Sequence, residues 1–239
     1  MRIVNYQFCI YIMEYLQNGF TLELAAGSFP LSTDSIALAH FVKLPKNAKV
    51  LDLCAGCGTL GIMLCAKDQS CAVTGVEINQ TDHAAAVENI RRNGLEGRLD
   101  SICADIASFT GSNFNVVVSN PPYYSGGPKS ATAANARHDQ LCPPELLFKV
   151  AARALKFGGD FYLVHKPEML AHLCGLGQAN GMEAKELMLL RHKENGPVSL
   201  ILLKFRKGAK PGLVITENEL HDRSGEPTPY YKSIYHLGA

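Results

Sequence analysis

VLDLCAGCG at residues 50–58 joins an apolar, β-branched run to a glycine-rich turn. The run is typical of a buried strand, and the turn that follows it contains Cys54, Gly56 and Gly58. Glycine in such a turn lets the backbone approach a ligand closely. A helix is expected directly after the turn, at residues 60–66. This strand–turn–helix order predicts the ligand-binding corner of a Rossmann-like fold.

Outward from this corner, strand-like and helix-like segments alternate along the chain. Such alternation favours a mostly parallel sheet with helices on both faces. We therefore predict an α/β fold with a seven-stranded sheet. Its strands are expected at residues 50–54, 72–77, 99–103, 114–119, 160–165, 185–191 and 199–205, and its helices at 60–66, 81–93, 144–155 and 167–180.

The chain is expected to form a single domain in three parts. Residues 1–49 form an N-terminal lead with a helix that covers the ligand site, 50–206 form the core, and 207–239 form a tail packed on the core. In the lead, STDSIALAHFV at residues 32–42 has a capping serine and then apolar spacing suited to an amphipathic helix. The stretch 123–144 lacks periodicity and is expected to be a loop over the site.

Composition limits the possible functions only loosely. The chain has 239 residues, and its formal net charge of +1 does not indicate nucleic-acid binding, so any basic surface must be local. Its eight cysteines are scattered through strand-like and helix-like runs, which predicts free thiols in a reducing cytoplasm. No run approaches the roughly twenty apolar residues of a transmembrane helix, and the first twenty residues are not a convincing signal peptide.

Asn120-Pro121-Pro122-Tyr123 follows the strand at 114–119 and predicts a reaction. An amine on a nucleobase, or a carboxamide, is a poor nucleophile because its lone pair is delocalised. The side-chain carbonyl of Asn120 and the backbone carbonyl of Pro121 can accept both of its N–H bonds, which favours a pyramidal nitrogen able to attack a methyl group. The prolines stiffen the turn, and Tyr123 offers a face on which a planar substrate can stack. The motif thus predicts methylation of a planar amine.

The ends of two further strands carry residues suited to a nucleoside. Glu77 lies nineteen residues after Gly58, a distance at which a carboxylate suits a bidentate hydrogen bond to ribose hydroxyls. Asp105 can accept from an adenine amine with Ile106 against the ring, although a capping role also fits Asp105. The candidate cofactor residues from this part of the chain are Asp52, Cys54, Gly56, Gly58, Glu77, Ile78, Asp105, Ile106 and Asn120.

This pattern alone does not separate a dinucleotide from an adenosyl cofactor. Two features favour S-adenosylmethionine: Cys54 replaces the first glycine of the dinucleotide fingerprint, and the site is paired with the Asn120 motif. Cys54 and Cys57 have the C-x-x-C spacing of half a zinc site. Because no second pair stands at a suitable spacing, we predict no metal.

Basic residues are concentrated in one segment. Between residues 183 and 210, seven Lys/Arg face three Glu, a local balance of +4. Together with basic residues elsewhere they predict a surface that follows an RNA backbone, although any single lysine also fits an ordinary solvated edge. The candidate substrate-binding residues are Lys129, Arg137, His138, Lys166, Lys204, Arg206 and Lys207. For His138, an ordinary loop histidine is an equally good interpretation.

These motifs resemble the class I amino-methyltransferases that act on adenine N6, guanine N2 or glutamine. More narrowly, the chain resembles the bacterial valine-tRNA adenine-N6 methyltransferases over nearly its whole length, through FPLSTDSIALA (29–39), ARHD (136–139), HKPEML (165–170) and GEPTPYYKSIY (225–235). The resemblance implies methyl transfer from S-adenosylmethionine to the adenine beside the anticodon of a valine tRNA. It also implies that Thr33 and Asp34 lie over the methionine end of the cofactor. Lys166 stands where the family frequently has arginine, so forked recognition of phosphate is lost there.

Alternative functions remain open at this point. A glutamine methyltransferase acting on release factors uses the same motif, but it normally has a helical substrate domain before the cofactor turn, and only 49 residues precede Val50 here. An rRNA guanine-N2 methyltransferase is a further alternative. A non-catalytic RNA-binding protein is disfavoured because Asp52, Glu77 and Asn120 are all present.

Overall fold

A computed structural model of the chain describes residues 2–6, 9–16, 19–24, 31–122 and 142–235. The strands are β1 Arg2–Tyr6, β2 Cys9–Tyr15, β3 Thr21–Leu24, β4 Lys49–Leu53, β5 Ala72–Glu77, β6 Leu99–Cys103, β7 Phe114–Ser119, β8 Leu155–His165, β9 Met182–Lys193, β10 Val198–Lys207 and β11 Val214–His221. The helices are α1 Thr33–Phe41, α2 Thr59–Lys67, α3 Gln80–Arg92, α4 Pro144–Ala154, α5 Leu170–Ala179 and α6 Pro229–Tyr235. Short 3-10 turns cover Ile106–Ser108 and Pro167–Met169.

The main sheet has eight strands in the order β11-β9-β10-β8-β7-β4-β5-β6. Only β10 runs antiparallel to its neighbours, so the predicted Rossmann-like, mostly parallel sheet is confirmed. The predicted count of seven is wrong because β11, in the tail, pairs in parallel with β9. The first four residues of β11 are exposed, so this edge strand lacks the buried run by which the other strands were found.

The core lies on both faces of this sheet, as strand alternation requires. Along β4, Val50 packs into the cluster beneath α1, α2 and α3, whereas Leu51 packs into the cluster beneath α4 and α5. In the second cluster, the rings of Phe148 and Phe161 meet edge to face with centroids 5.2 Å apart. Two separate cores therefore hold the sheet between layers of helices.

Helix α1 confirms the helix predicted at residues 32–42. Ser32 is its N-cap, and the Ser32 side chain accepts a hydrogen bond from the Ser35 amide. The helix is less amphipathic than predicted, since His40 is its only exposed residue. It is enclosed because it packs against α2, α6 and β8.

Strands β1–β3 form a separate antiparallel sheet that is attached to α3 by two asparagines. Asn93 accepts from the Thr21 amide and donates to the Thr21 carbonyl, both at 2.8 Å. Asn89 makes the same pair of bonds to Glu23, at 2.7 and 2.9 Å, and donates a further bond to the Cys57 carbonyl at 3.0 Å. Residues four apart lie on the same helix face, so both amides face β3. They bond to the backbone of its alternate residues, as a neighbouring strand would.

The C-terminal tail also reaches helix α1. Helix α6 packs on β11 and α1, and the Tyr235 hydroxyl lies 2.8 Å from Thr33 Oγ1. The predicted lead and tail therefore contact each other through α1 and α6. None of the helices in the described ranges is long and apolar enough to cross a membrane.

Candidate active site

A cavity of about 270 Å³ opens at the carboxyl ends of β4, β5 and β7. This is the edge at which open parallel sheets bind ligands. The predicted residues that line it are Asp34, Asp52, Cys54, Gly56, Glu77, Ile78, Asp105, Ile106, Asn120, Pro121 and Pro122. Of the other predicted residues, Thr33 and Gly58 lie just outside this lining, and Tyr123, Lys129, Arg137 and His138 lie outside the described residues.

The turn between β4 and α2 has an unusual backbone. Cys54, Gly56 and Gly58 all have positive φ, of 61°, 55° and 85°. At Cys54 this left-handed conformation is unfavourable by about 1–2 kcal/mol for a residue with a Cβ. The turn directs the Gly56 amide at Glu77, whose Oε2 accepts it at 2.8 Å. The glycine-rich turn is thus fixed by the same carboxylate that was predicted to bind ribose.

Glu77 is held at both oxygens by backbone amides. Besides the Gly56 bond, its Oε1 accepts from the Asn79 amide at 2.7 Å. The residue is buried at the end of β5 and lines the cavity. Because a carboxylate accepts about four hydrogen bonds, it retains capacity for two ligand hydroxyls. Its ribose contact stays a prediction, with a geometry that suits it.

Asp52 is a buried acid in the wall of the cavity. It is 1% exposed, and neither carboxyl oxygen has a hydrogen bond of normal geometry to the described residues. Burial raises the pKa of Asp52 to about 8; the nearby Gly61 backbone amide opposes this rise, and the charge of Glu77 adds to it. An unpaired acid in a cavity wall fits a ligand that brings a cation or N–H donors. The ammonium group of S-adenosylmethionine has that chemistry.

Asp105 has the capping role that its sequence position left open, and its contact with adenine stays a prediction. Its Oδ1 caps the 3-10 turn by accepting from the Ala107 amide at 2.8 Å, and the residue lines the cavity. Ile106, at the start of that turn, is buried and gives the cavity an apolar wall. This wall suits a flat ring with a polar edge, which is the shape of adenine.

Asn120 is oriented by a residue that sequence reasoning missed. Its side-chain Nδ2 donates to Ser35 Oγ at 2.9 Å, and Ser35 is buried on α1 and lines the cavity. Pro121 is buried and Pro122 is half-buried. The only sequence signal for Ser35 is its place within the STDS segment, because the contact spans 85 positions.

Three of the predicted RNA-binding cations are engaged by the protein itself. Lys204 is 6% exposed, and its Nζ lies 2.9 Å from Glu186 and 3.5 Å from Asp160. Arg206 makes a forked pair with Asp160 at 2.7 and 3.0 Å, and Lys207 donates to two backbone carbonyls. Because β10 is antiparallel, these residues lie near the amino ends of the parallel strands, away from the cavity. Their contact with RNA stays a prediction.

Lys166 has a different position from those three cations. It follows the last residue of β8, at the same carboxyl edge as the cavity, and it is exposed. Its backbone amide donates to Nδ1 of buried His165 at 2.9 Å. Among the substrate-binding candidates in the described ranges, Lys166 is therefore the one on the cavity side.

Cysteines also meet in the cavity wall. The sulfur atoms of Cys54 and Cys142 lie 3.0 Å apart, and both residues line the cavity. Together with burial, this contact raises the pKa of Cys54 well above its usual value. The seven cysteines in the described ranges with known side-chain positions are free thiols. Within those ranges, no group of three or more His, Cys, Asp or Glu side chains is arranged to hold a metal.

Comparisons with known proteins agree with this geometry. The family model for the methyltransferase small domain matches residues 32–179. A tRNA1(Val) (adenine(37)-N6)-methyltransferase of Bacteroides fragilis is 26% identical over 90% of this chain and 94% of its own length. The protein of that name in Tolumonas auensis is 30% identical over 77% of this chain and 79% of its own length.

Solved structures show the same fold. A predicted O-methyltransferase from Agrobacterium tumefaciens superimposes with a TM-score of 0.70 at 19% identity, over 85% of this chain and 96% of its own. The family match covers both halves of the described cavity, from Ser32 through Asn120. The chain belongs to the methyltransferase small domain family and, within it, to the family of tRNA1(Val) (adenine(37)-N6)-methyltransferases.

Proposed function

We propose that this enzyme transfers a methyl group from S-adenosylmethionine to N6 of an adenine in tRNA, beside the anticodon of a valine tRNA. The observation that carries the proposal is one cavity lined by both the unpaired acid Asp52 and the amide of Asn120. The first suits a cationic cofactor, and the second suits a planar amine. Relatives with that activity in their names match most of the chain.

In this proposal the protein holds the cofactor with groups from three strand ends. Glu77 accepts from the ribose hydroxyls, and Asp52 pairs with the ammonium group. Ile78 and Ile106 enclose the adenine, whose amine donates to Asp105. Thr33 and Asp34 lie over the methionine end. When bound, the cofactor would supply a methyl group on a sulfonium, from which a neutral thioether leaves readily, so the protein would mainly align the two reactants.

The target amine is held by the turn after β7. The Asn120 Oδ1 and the Pro121 carbonyl accept its two N–H bonds, and Tyr123 stacks on the base. The attacking nitrogen becomes cationic and acidic, and it loses its proton to water, so no general base is required. These roles explain why the turn needs two carbonyl acceptors and no titrating side chain.

RNA is expected to approach from the carboxyl edge of the sheet. Lys166 lies there, and Lys129, Arg137 and His138 belong to the segment between the target motif and Cys142. An anticodon loop is single-stranded, so exposing its base requires only part of the few kcal/mol needed to flip a base from a duplex. We place the enzyme in the cytoplasm, where tRNA is available.

The test is methyl transfer from labelled S-adenosylmethionine to unmodified total tRNA, in parallel with ribosomal RNA and a release-factor fragment. Nucleoside and amino-acid analysis then identifies the product. We expect N6-methyladenosine in a valine tRNA. Label in N2-methylguanosine or in methylglutamine, with tRNA adenine unmodified, would overturn the substrate while leaving the fold and cofactor intact.

A further inference from the structure

Ser35 lies in the wall between the helix α1 and the target-binding turn. It is 8% exposed, it lines the cavity, and its Oγ accepts from Asn120 Nδ2 at 2.9 Å. A serine at this depth is rarely left without a partner, and here the partner is the amide expected to hold the target amine. The contact therefore joins helix α1 to the turn after β7 that contains Asn120.

Helix α1 is fixed at both ends, so Ser35 has a defined position. At the carboxyl end, Lys67 Nζ donates to the carbonyls of Ala39, His40 and Val42 at 3.0, 2.8 and 2.6 Å. At the amino end, Thr33 Oγ1 lies 2.8 Å from the Tyr235 hydroxyl. A cation at the end of a helix also suits the helix dipole. These contacts make α1 a rigid support for Ser35.

A primary amide has two ends with opposite hydrogen-bonding character. One end of Asn120 donates and the other accepts, and rotation by 180° exchanges them at almost no change in shape. An N–H group directed at the target amine would meet another N–H donor and would not hold it. A carboxamide used as an acceptor is therefore helped by a neighbour that accepts a hydrogen bond from its nitrogen.

We propose that Ser35 is this neighbour: a positioning residue that binds Asn120 Nδ2 and so presents Asn120 Oδ1 to the target amine. The inference rests on the proposed function, because it assigns Asn120 the role of acceptor. Ser35 touches neither reactant in this scheme and acts only through the amide. Helix α1 thereby contributes to amine recognition as well as covering the site.

Removal of the hydroxyl gives the first test. In Ser35→Ala, Nδ2 loses its acceptor and the amide is free to turn, so kcat should fall on the order of 10- to 100-fold. The dissociation constant for S-adenosylmethionine should stay within about twofold, since no cofactor contact is lost. Ser35→Thr retains the hydroxyl and should recover most of kcat. Ser199→Ala, which removes a hydroxyl that is bonded to the Leu190 carbonyl and does not line the cavity, is the matched control.

The second test separates positioning from a general effect on folding. Asn120→Asp has an oxygen at both ends of the side chain, so its orientation no longer matters. In an Asn120→Asp background, Ser35→Ala should therefore change kcat by less than about twofold. A loss of 10-fold or more that persists in this background would show that Ser35 acts structurally, and it would overturn the proposal.

A third measurement does not depend on the RNA substrate. In the NMR spectrum of the wild type, one Asn120 Nδ2 proton should exchange slowly with solvent, and this protection should disappear in Ser35→Ala. Unchanged exchange would refute the contact. Failure of the proposed function has a different signature, because the wild type would then yield no N6-methyladenosine while the Nδ2 proton stayed protected.

Discussion

The two ends of the main sheet differ in whether their buried charged side chains have hydrogen-bond partners. At the amino end, Lys204 and Arg206 meet the carboxylates of Asp160 and Glu186, so each of these four charges has a partner within the protein. At the carboxyl end, Asp52 is buried, and neither of its carboxyl oxygens has a hydrogen bond of normal geometry to the described residues. The ion pairs at the amino end stabilise the fold, whereas the carboxyl oxygens of Asp52 remain able to accept hydrogen bonds from a ligand. Unpaired buried groups are thus better guides to the site than clustered charge.

Asn120→Ala gives the largest expected effect. Loss of the acceptor should lower kcat by about 10²–10³-fold, by analogy with the removal of one transition-state hydrogen bond. Affinity for S-adenosylmethionine should stay near normal, and kcat and calorimetry measure the two quantities. Asn115→Ala is the control on the same strand, since Asn115 accepts from the Lys49 amide at the amino end. Equal losses of kcat in the two variants would contradict the prediction that the asparagine at the carboxyl end has a catalytic role and the one at the amino end does not.

Asp52→Asn should weaken S-adenosylmethionine binding about 10- to 100-fold by removing the charge that pairs with the ammonium group. Affinity of the wild type should rise as pH increases toward about 8, where Asp52 ionises without ligand. Asp160→Asn is the comparison at the amino end, and it should reduce stability instead of cofactor affinity. Calorimetry across pH 6 to 9 tests this, and a flat profile in the wild type would contradict it.

The same acid should leave a signature in folding. Its pKa is about 8 in the folded protein, above the value of about 3.9 in an unfolded chain. Between these values the unfolded state releases a proton that the folded state keeps, so the free energy of unfolding should fall as pH rises from about 4 to 8. Denaturant titrations should show a smaller decline in Asp52→Asn than in the wild type. The opposite slope would show that Asp52 has a partner in the folded protein.

Lys204→Met is expected to reduce the free energy of unfolding by about 1–3 kcal/mol. The effect is limited because Asp160 keeps Arg206 and Glu186 keeps Lys43 as partners. Urea unfolding measures the loss. A rise in KM for tRNA with unchanged stability would instead assign Lys204 to RNA binding, as its sequence position suggested.

Lys166→Ala should have the smallest effect. One lost phosphate contact should raise KM for tRNA a few-fold and reduce the slope of log affinity against log salt by about 1. Lys49→Ala removes an exposed lysine at the amino end of β4 and is the matched control. If both variants changed the salt slope equally, RNA would not prefer the carboxyl edge.

The sequence predicted best what depends on local pattern. Asn120 follows the apolar run at residues 116–118, and Asp52 lies within the mostly apolar run at residues 50–54, so these strand ends, and the residues meeting there, were predictable. The partners of those residues were not. Ser35 and Asn89 act through contacts 85 and 66 positions away, which no periodicity reveals. The exposed strand β11 was missed for the related reason that its pairing, and not its burial, places it in the sheet.

Charge clustering in the sequence did not predict the position of the cations relative to the cavity. The excess of cations between residues 183 and 210 is genuine, but antiparallel β10 carries Lys204, Arg206 and Lys207 to the edge away from the cavity. Asp160, the acidic partner of Lys204 and Arg206, lies outside that segment, so counting charges within it omitted this pairing. The direction of β10 determines at which edge of the sheet these cations lie, and composition alone does not predict that direction.

The side chain of Asn89 links the N-terminal sheet to the glycine-rich turn after β4, so a change in one is expected to affect the other. It is 1% exposed and bonds at once to the backbone of Glu23 and to the Cys57 carbonyl. A chain shortened past β3 would leave this buried amide with unmatched groups next to the cofactor turn. Peripheral strands far from any reacting atom would then influence how firmly the methyl donor is held.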